Sequence, residues 1–387
     1  MNLQTIQASH TISTCLFAYY MGADALIVSV KAGLYPDTTF TDFTFGLAIA
    51  AFLLTLLNGI VITDVEDIEG FFGKAIALSK GIVYKKINFG HLAILCTYTI
   101  ILNVSYFAGG LNDKKSAMVL LGLVVANLLV PIALIFLSNP ETIKRVVGEP
   151  SEIEKKLANK GVDKDFSQAA IRIDFWYMSI CAMNIIGISR VFDENAFDLG
   201  LHNEEQGELI EQTYGVFEVI GATVVGTILT LFRAKVRPSL CVIFVLLIGG
   251  LGQVAMVYPN SSPVDPMILA VASAAFAEGG ILVSLASFCH EEYGTENFGI
   301  LFGTMLTFGA AGLYAYDAIF FPNIFEWFAE ENGVGVKHFK SYGKWNEMMF
   351  SWFVGGYVIC FFLAVISHIS VKRRDRRDSM KLAMSKF

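Results

Sequence analysis

The sequence predicts an all-α, polytopic membrane protein with about ten transmembrane helices, and three features predict it. Of the 387 residues, 55% are hydrophobic and only 16% are charged, against about one quarter charged in an ordinary soluble chain. Mean hydropathy is +0.57. Apolar stretches long enough for the roughly 17 to 25 residues of a spanning helix recur along the whole chain. They lack the strict in–out alternation of barrel strands, so the helix is the spanning element that keeps its own backbone groups paired in hydrocarbon.

The predicted spans are 10–33, 43–63, 89–110, 116–138, 168–191, 212–232, 239–257, 266–288, 298–321 and 347–371. Four precede a charged segment, 139–167, and six come after it; a basic tail, 372–387, closes the chain. If the spans alternate, the connecting segments on the side of the N-terminus (64–88, 139–167, 233–238, 289–297 and 372–387) hold 20 lysines and arginines, and those on the opposite side hold 5. The positive-inside rule therefore places the tail KRRDRRDSMK on the cytoplasmic or matrix face. The net charge of −7 does not bear on this, because acidic residues weigh little in that rule.

Other signals narrow the function by exclusion. The six cysteines (Cys15, Cys96, Cys181, Cys241, Cys289, Cys360) are scattered, with no C-x-x-C pair and no histidine at ligand spacing, so neither a disulfide framework nor a zinc site is expected. His290 stands beside Glu291 and Glu292, but sequence neighbours point to different faces of a helix, and the trio reads as a hydrated helix end. Asn260-Ser-Ser fits a glycosylation triplet, a pattern common by chance. No cleavable presequence is visible, and no nucleotide-binding glycine loop, nucleophile elbow or H-E-x-x-H motif occurs. The expectation is a protein that is not an enzyme, holds no cofactor or metal and does not bind nucleic acid.

Within the apolar runs, ionisable residues carry the functional argument. A charged side chain at bilayer depth costs at least about 2.5 kcal/mol on insertion scales, so it faces a cavity, a partner or a helix interface. Asp24, Glu218 and Glu278 are the clearest cases; Arg172, Asp174 and Asp317 lie nearer span ends, where the two aspartates are expected to reach water by snorkelling. Glu278 sits in AEGGILVSLASFCHEEYGTENFGILFG (277–303), which matches GADALIVSVKAGLYPDTTFTDFTFGLA (22–48) as an internal repeat: a mid-span acid, a Val-Ser pair, a polar turn and a glycine-bearing run. In a working carrier Asp24 and Glu278 would line a midplane path and take protons, a cation or an amine. In the plainer alternative each is satisfied by a polar or arginine side chain of a neighbouring helix. Gly279 and Gly280 read as close helix packing rather than substrate contact.

The run from Asp165 to Asp317 resembles the C-terminal half of a major facilitator superfamily protein, most of all its nodulin-like branch. The pieces that carry the resemblance are, in order, DFSQAAIRIDFWYM, GVFEVIGATVVGTILTLFRAKVRP, LLIGGLGQVAM and EGGILVSLASFCHEEYGTENFGILFG, the last with Glu291 and Gly294 in its acidic turn. The resemblance implies a six-helix bundle over 168–371. It also has departures. Gly221 and Gly226 keep the glycine spacing, but Ala222 stands where the family has an arginine and Thr230 near where it has an aspartate, so the charges that latch the inner gate are missing. Only four spans precede the charged segment, so residues 1–138 correspond to a shortened N-terminal bundle. The parity this implies would be restored if IEGFFGKAIALSKGIVY (68–84) crossed the membrane; with Lys74 and Lys80 inside it, an amphipathic segment at the interface is the preferred reading, and the orientation of the N-terminus stays open.

Two functions are compatible with these features. Alternating access needs two comparable bundles, and here one is truncated; this favours a degenerate transporter-like protein acting as an accessory subunit of a larger membrane complex, in contact with lipids and other membrane subunits. The inner mitochondrial membrane, with a respiratory or ATP synthase assembly, is the expected host, and a plasma-membrane or vacuolar location fits almost as well. The segments 139–167 and 322–346, the second with interfacial aromatics, are the expected docking surfaces. The alternative is an active transporter of a small organic solute, coupled to protons through Glu278.

Overall fold

The structure is a computed structural model, and it describes residues 166–199, 204–232, 236–258, 265–294, 297–331 and 344–384, with isolated positions between 46 and 122. The predicted spans before residue 139 (those positions apart), the segment 68–84, the connecting residues 139–165, Asp24, the Asn260 triplet, and Arg233 and Lys235 all lie outside the described residues. The chain divides into two compact units, Met1–Lys160 and Gly161–Phe387.

The second unit is helical throughout its described length: α1 (Phe166–Ala170), α2 (Ile173–Glu194), α3 (Ala196–Leu199), α4 (Glu204–Leu231), α5 (Pro238–Val257), α6 (Pro266–Tyr293), α7 (Phe298–Leu313), α8 (Phe321–Glu331) and α9 (Lys344–Met384). Among the described residues, six helical stretches are long and apolar enough to cross a membrane: Ile173–Glu194, Gln206–Leu229, Pro238–Val257, Pro266–Tyr293, Phe298–Ile324 and Met349–Arg374. They coincide with the last six predicted spans, as expected of an integral multi-pass protein.

Local sequence sets the ends. Pro238 and Pro266 occupy first-turn positions, where a missing N–H is harmless. The Asp265 carboxylate caps α6 by accepting from the Met267 N–H at 2.9 Å. Gly294 ends α6 with φ of 91°, a conformation that a side chain would strain. One boundary departs from expectation. The sequence places residues 322–331 in a loop after Phe321, but the helix continues: α7 widens into a π-helical turn, Tyr314–Phe320, and resumes as α8. Pro322 looks like a stop because its ring collides with the carbonyl four residues back in a regular helix, and the widened turn before it relieves that collision.

The depth of each helix in the bundle is read from its burial. Of the most apolar window, 89% is buried in α6 but only 44% in α5 and 33% in α9, so α6 is the central helix. It packs on α5, α4 and α2; α9 packs on α5 and α2; α7 packs on α2. Exchanging α2 with α6, α4 with α7 and α5 with α9 maps these pairings onto one another. The glycine contacts obey the same exchange. Gly221 and Gly279 bring α4 and α6 backbone to backbone, as Gly187 and Gly312 do for α7 and α2. Gly252 of α5 lies against Ser273 of α6, as Gly356 of α9 lies against Asn184 of α2. The bundle is thus two three-helix repeats, and lack of side chains at the paired glycines permits the close approach.

Candidate functional site

The interior of the bundle holds a charged network built from three helices. Glu278 lies near the middle of α6 and is 1% exposed. An ionised carboxylate there is tolerable only if its oxygens are paired. Both are: the Arg190 Nε of α2 donates to Oε1 at 3.0 Å, and the Tyr214 hydroxyl of α4 donates to Oε2. Ser189 Oγ donates to the Tyr214 hydroxyl at 3.4 Å, and the Arg190 guanidinium lies 5.7 Å from the centre of the Tyr214 ring. The remaining faces of Arg190 meet two more carboxylates, Asp193 Oδ2 at 2.7 Å from Nη1 and Glu218 Oε1 at 3.9 Å from Nη2.

The helices position these groups for simple reasons. Tyr214 and Glu218 are four residues apart on α4 and share one face; Arg190 and Asp193 are three apart on α2 and do likewise. Gly279, next to Glu278, rests on the Glu218 carbonyl, and Gly221 rests on the Phe276 carbonyl, so the α4–α6 contact that needs these glycines is the one that brings Tyr214 and Glu218 to Glu278. Exposure is graded. The Arg190 and Asp193 side chains are 25% and 23% exposed, whereas those of Glu218 and Glu278 are 1% and 2% exposed. One guanidinium thus serves three carboxylates, and the two deepest are the glutamates. Such a site can clamp three helices together, or hold a proton among its acids.

A second cluster lies where α2 begins and α6 and α9 leave the bundle. Asp174, 1% exposed, receives Arg374 Nη2 at 3.1 Å, Arg172 Nη2 at 3.2 Å and the Tyr293 hydroxyl at 3.3 Å. Glu292 receives the same two arginines at 2.7 and 3.0 Å. Arg172 also donates to the Glu292 carbonyl at 3.1 Å, and its guanidinium sits 4.7 Å over the Tyr293 ring. Two cations and two anions close on themselves here. The cluster also fixes the topology, because the start of α2 and the ends of α6 and α9 must lie at one end, the lysine- and arginine-rich end.

Of the candidates expected from the sequence, Glu218 and Glu278 come together in the network. Gly221 and Gly279 form the α4–α6 contact, Gly280 faces Val245 of α5, and Gly226 is buried on α4. Glu291 is exposed beside the capping Gly294. Ala222 is fully buried on α4. Asp174 corrects the snorkelling expectation, since two arginines reach inward to it and it does not turn out to water. Asp317, on the π-helical turn, accepts from Asn195 Nδ2 at 2.6 Å. Arg190 and Tyr214 are not among the residues that sequence reasoning singles out, although Arg190 is the single basic residue within Ile173–Glu194 and such residues are pairing candidates by default.

Away from the network, a groove of about 570 Å³ between α2, the π-helical turn and α9 is lined by Ile180, Asn184, Tyr316, Trp352, Gly355 and Ile359 among others. Among the described residues no group of acidic, histidine or cysteine side chains is arranged to hold a metal ion. No protein-family model and no curated protein matches the chain.

Proposed function

We propose that this protein is a transporter-like membrane protein that serves as a structural, accessory subunit of a larger membrane complex. The observation that carries the reading is the pairing of Glu278: both of its oxygens are engaged by Arg190 and Tyr214 inside a single bundle. Removing one partner from a buried ion pair costs about 3–5 kcal/mol, and a carrier that exchanged such partners each cycle would need a substrate or proton to replace them. As a clamp across α2, α4 and α6, the network instead holds the bundle in one arrangement. The two three-helix repeats support the resemblance to a major facilitator half, whose six helices are built as inverted triplets. A half of that kind rocks against an equal partner bundle, and the sequence predicts four spans, not six, within residues 1–138. The basic end, with Lys372 to Arg377, is assigned to the cytoplasmic or matrix face by the positive-inside rule.

Blue-native electrophoresis of mild-detergent extracts, run separately on mitochondria and on the remaining membranes, tests this. The expected result is comigration with a complex several times the size of the chain, in the mitochondrial fraction. Migration as monomer or dimer in every fraction overturns it.

A second reading is favoured by one specific feature, the surplus of carboxylates around Arg190. Glu218 and Glu278 sit at mid-span with one cation between them, an arrangement suited to taking up a proton, as in a proton-coupled transporter of a small organic solute. Proton-driven solute uptake into reconstituted vesicles, abolished in Glu278→Gln, would establish this reading in place of the first.

A further inference from the structure

The strongest feature outside the network is the far end of α9. The helix runs unbroken for 41 residues, Lys344–Met384, about 61 Å at 1.5 Å per residue, whereas its apolar part ends at Arg374. It therefore leaves the membrane as a continuous rod. Lys372, Arg373, Arg376 and Arg377 are exposed, and steps of about 100° per residue place all four on one arc of roughly 140°. Arg374 falls outside that arc and turns inward to Asp174 and Glu292, at 3.1 and 2.7 Å. The internal cluster thus fixes the rotation of α9 and leaves the other four cations facing outward. From Lys372 to Arg377 the helix rises about 7.5 Å, close to the depth of the headgroup layer on one side of a bilayer, which is roughly 5 to 7 Å. His368 lies just before the patch. Its ring Nδ1 and Ser239 Oγ are 2.9 Å apart, which ties α9 to the start of α5.

We propose that Lys372, Arg373, Arg376 and Arg377 form a binding surface for the phosphate headgroups of anionic phospholipids. Four cations at headgroup depth, held on one face by a helix that the bundle has already oriented, are matched by a layer of phosphates and not by the acyl region. The contribution of a basic side chain near an anionic surface corresponds to about fivefold in partitioning, and long-range attraction of this kind is screened by salt.

The test uses the full-length protein in mixed micelles of phosphatidylglycerol and phosphatidylcholine at equal concentration, with retained lipids counted by native mass spectrometry. The expected result is a preference for phosphatidylglycerol of about tenfold or more. It should disappear in Lys372→Gln/Arg373→Gln/Arg376→Gln/Arg377→Gln and persist in Arg373→Lys/Arg376→Lys/Arg377→Lys. Size-exclusion profiles matching the parent show that both variants are folded. Should the glutamine variant fail to fold, raising sodium chloride to 0.5 M (about a 4 Å screening length) on the parent protein replaces it, with loss of the preference expected. Equal retention of the two lipids, or a preference that survives both the glutamine substitutions and high salt, overturns the proposal. A tail-free probe, glycerol phosphate, separates the two sources of phosphate: if it displaces phosphatidylglycerol at equal concentration, the surface binds free phosphate esters and the lipid assignment fails.

Discussion

Arg190 brings one positive charge to three carboxylates, and its removal and its replacement have different consequences. Arg190→Gln leaves Glu278 buried with only the Tyr214 hydroxyl, and is expected to lower stability by about 3–5 kcal/mol. Arg190→Met combined with Glu278→Met removes both charges of the closest pair but leaves the buried Glu218 without Arg190, and is expected to recover only part of that loss. Thermal unfolding in detergent, monitored by circular dichroism, measures the difference; equal destabilisation by the single and double variants would show that the pair is not coupled. Tyr214→Phe removes one hydrogen bond to a charged group and is expected to cost about 1.5–3 kcal/mol. Chemistry at this scale is half legible in the sequence. Glu218 and Glu278 stand out in apolar sequence by their cost, but nothing in the sequence spacing pairs Glu278 with an arginine 88 residues away. Arg190 does not stand out because it lies close to the end of its span, where an arginine is usually explained by water or headgroups.

At the scale of elements, the glycines divide by what surrounds them. A side chain on Gly279 would meet the Glu218 carbonyl and one on Gly221 the Phe276 carbonyl, both rigid backbone. Gly279→Val is therefore expected to separate α4 from α6 and to break the Tyr214–Glu278 contact with it. Gly355 has open space around it, so Gly355→Ala is expected to lie within about 0.5 kcal/mol of the parent. Gly294→Ala is expected to cost about 1–3 kcal/mol, because φ of 91° is strained for alanine whatever the space. Melting temperatures of the three variants, compared in one detergent, check the ranking; Gly355→Ala melting as low as Gly279→Val would contradict it. Helix existence is readable from hydropathy, and Gly221 and Gly279 stand out in the sequence as packing candidates, whereas Gly187 and Gly312 do not. The continuation through Pro322 is not, since a π turn is a response of the backbone to its neighbours and has no composition of its own.

For the whole molecule, the closing of the basic end by Arg172, Asp174, Glu292 and Arg374 ties three helices that are distant in sequence. Arg374→Gln leaves Asp174 and Glu292 with one shared arginine and is expected to increase proteolysis at the basic end of α9. Limited trypsin digestion of reconstituted vesicles monitors it, and unchanged cleavage kinetics would mean that the cluster does not hold α9 in place. The internal three-helix repeat belongs to this scale too. The stretches 277–303 and 22–48 share a pattern across distant parts of the chain, but the repeat within 173–374 leaves little trace in sequence. It is expressed in which helices touch and where a glycine faces a backbone, and many combinations of apolar side chains satisfy that geometry equally well.

By itself the sequence determined that this is a helical, multi-pass membrane protein, where its last six spans run and which end is basic, because transfer of apolar and charged groups between water and lipid depends on composition over windows of about twenty residues. The tertiary structure decided which helix is central, which arginine neutralises which acid, and which cations of α9 face outward. Those outcomes depend on contacts between residues far apart in the chain, and in hydrocarbon, where every apolar surface is equally welcome, they are chosen by close packing at small residues and by the need of each buried charge to find its partner.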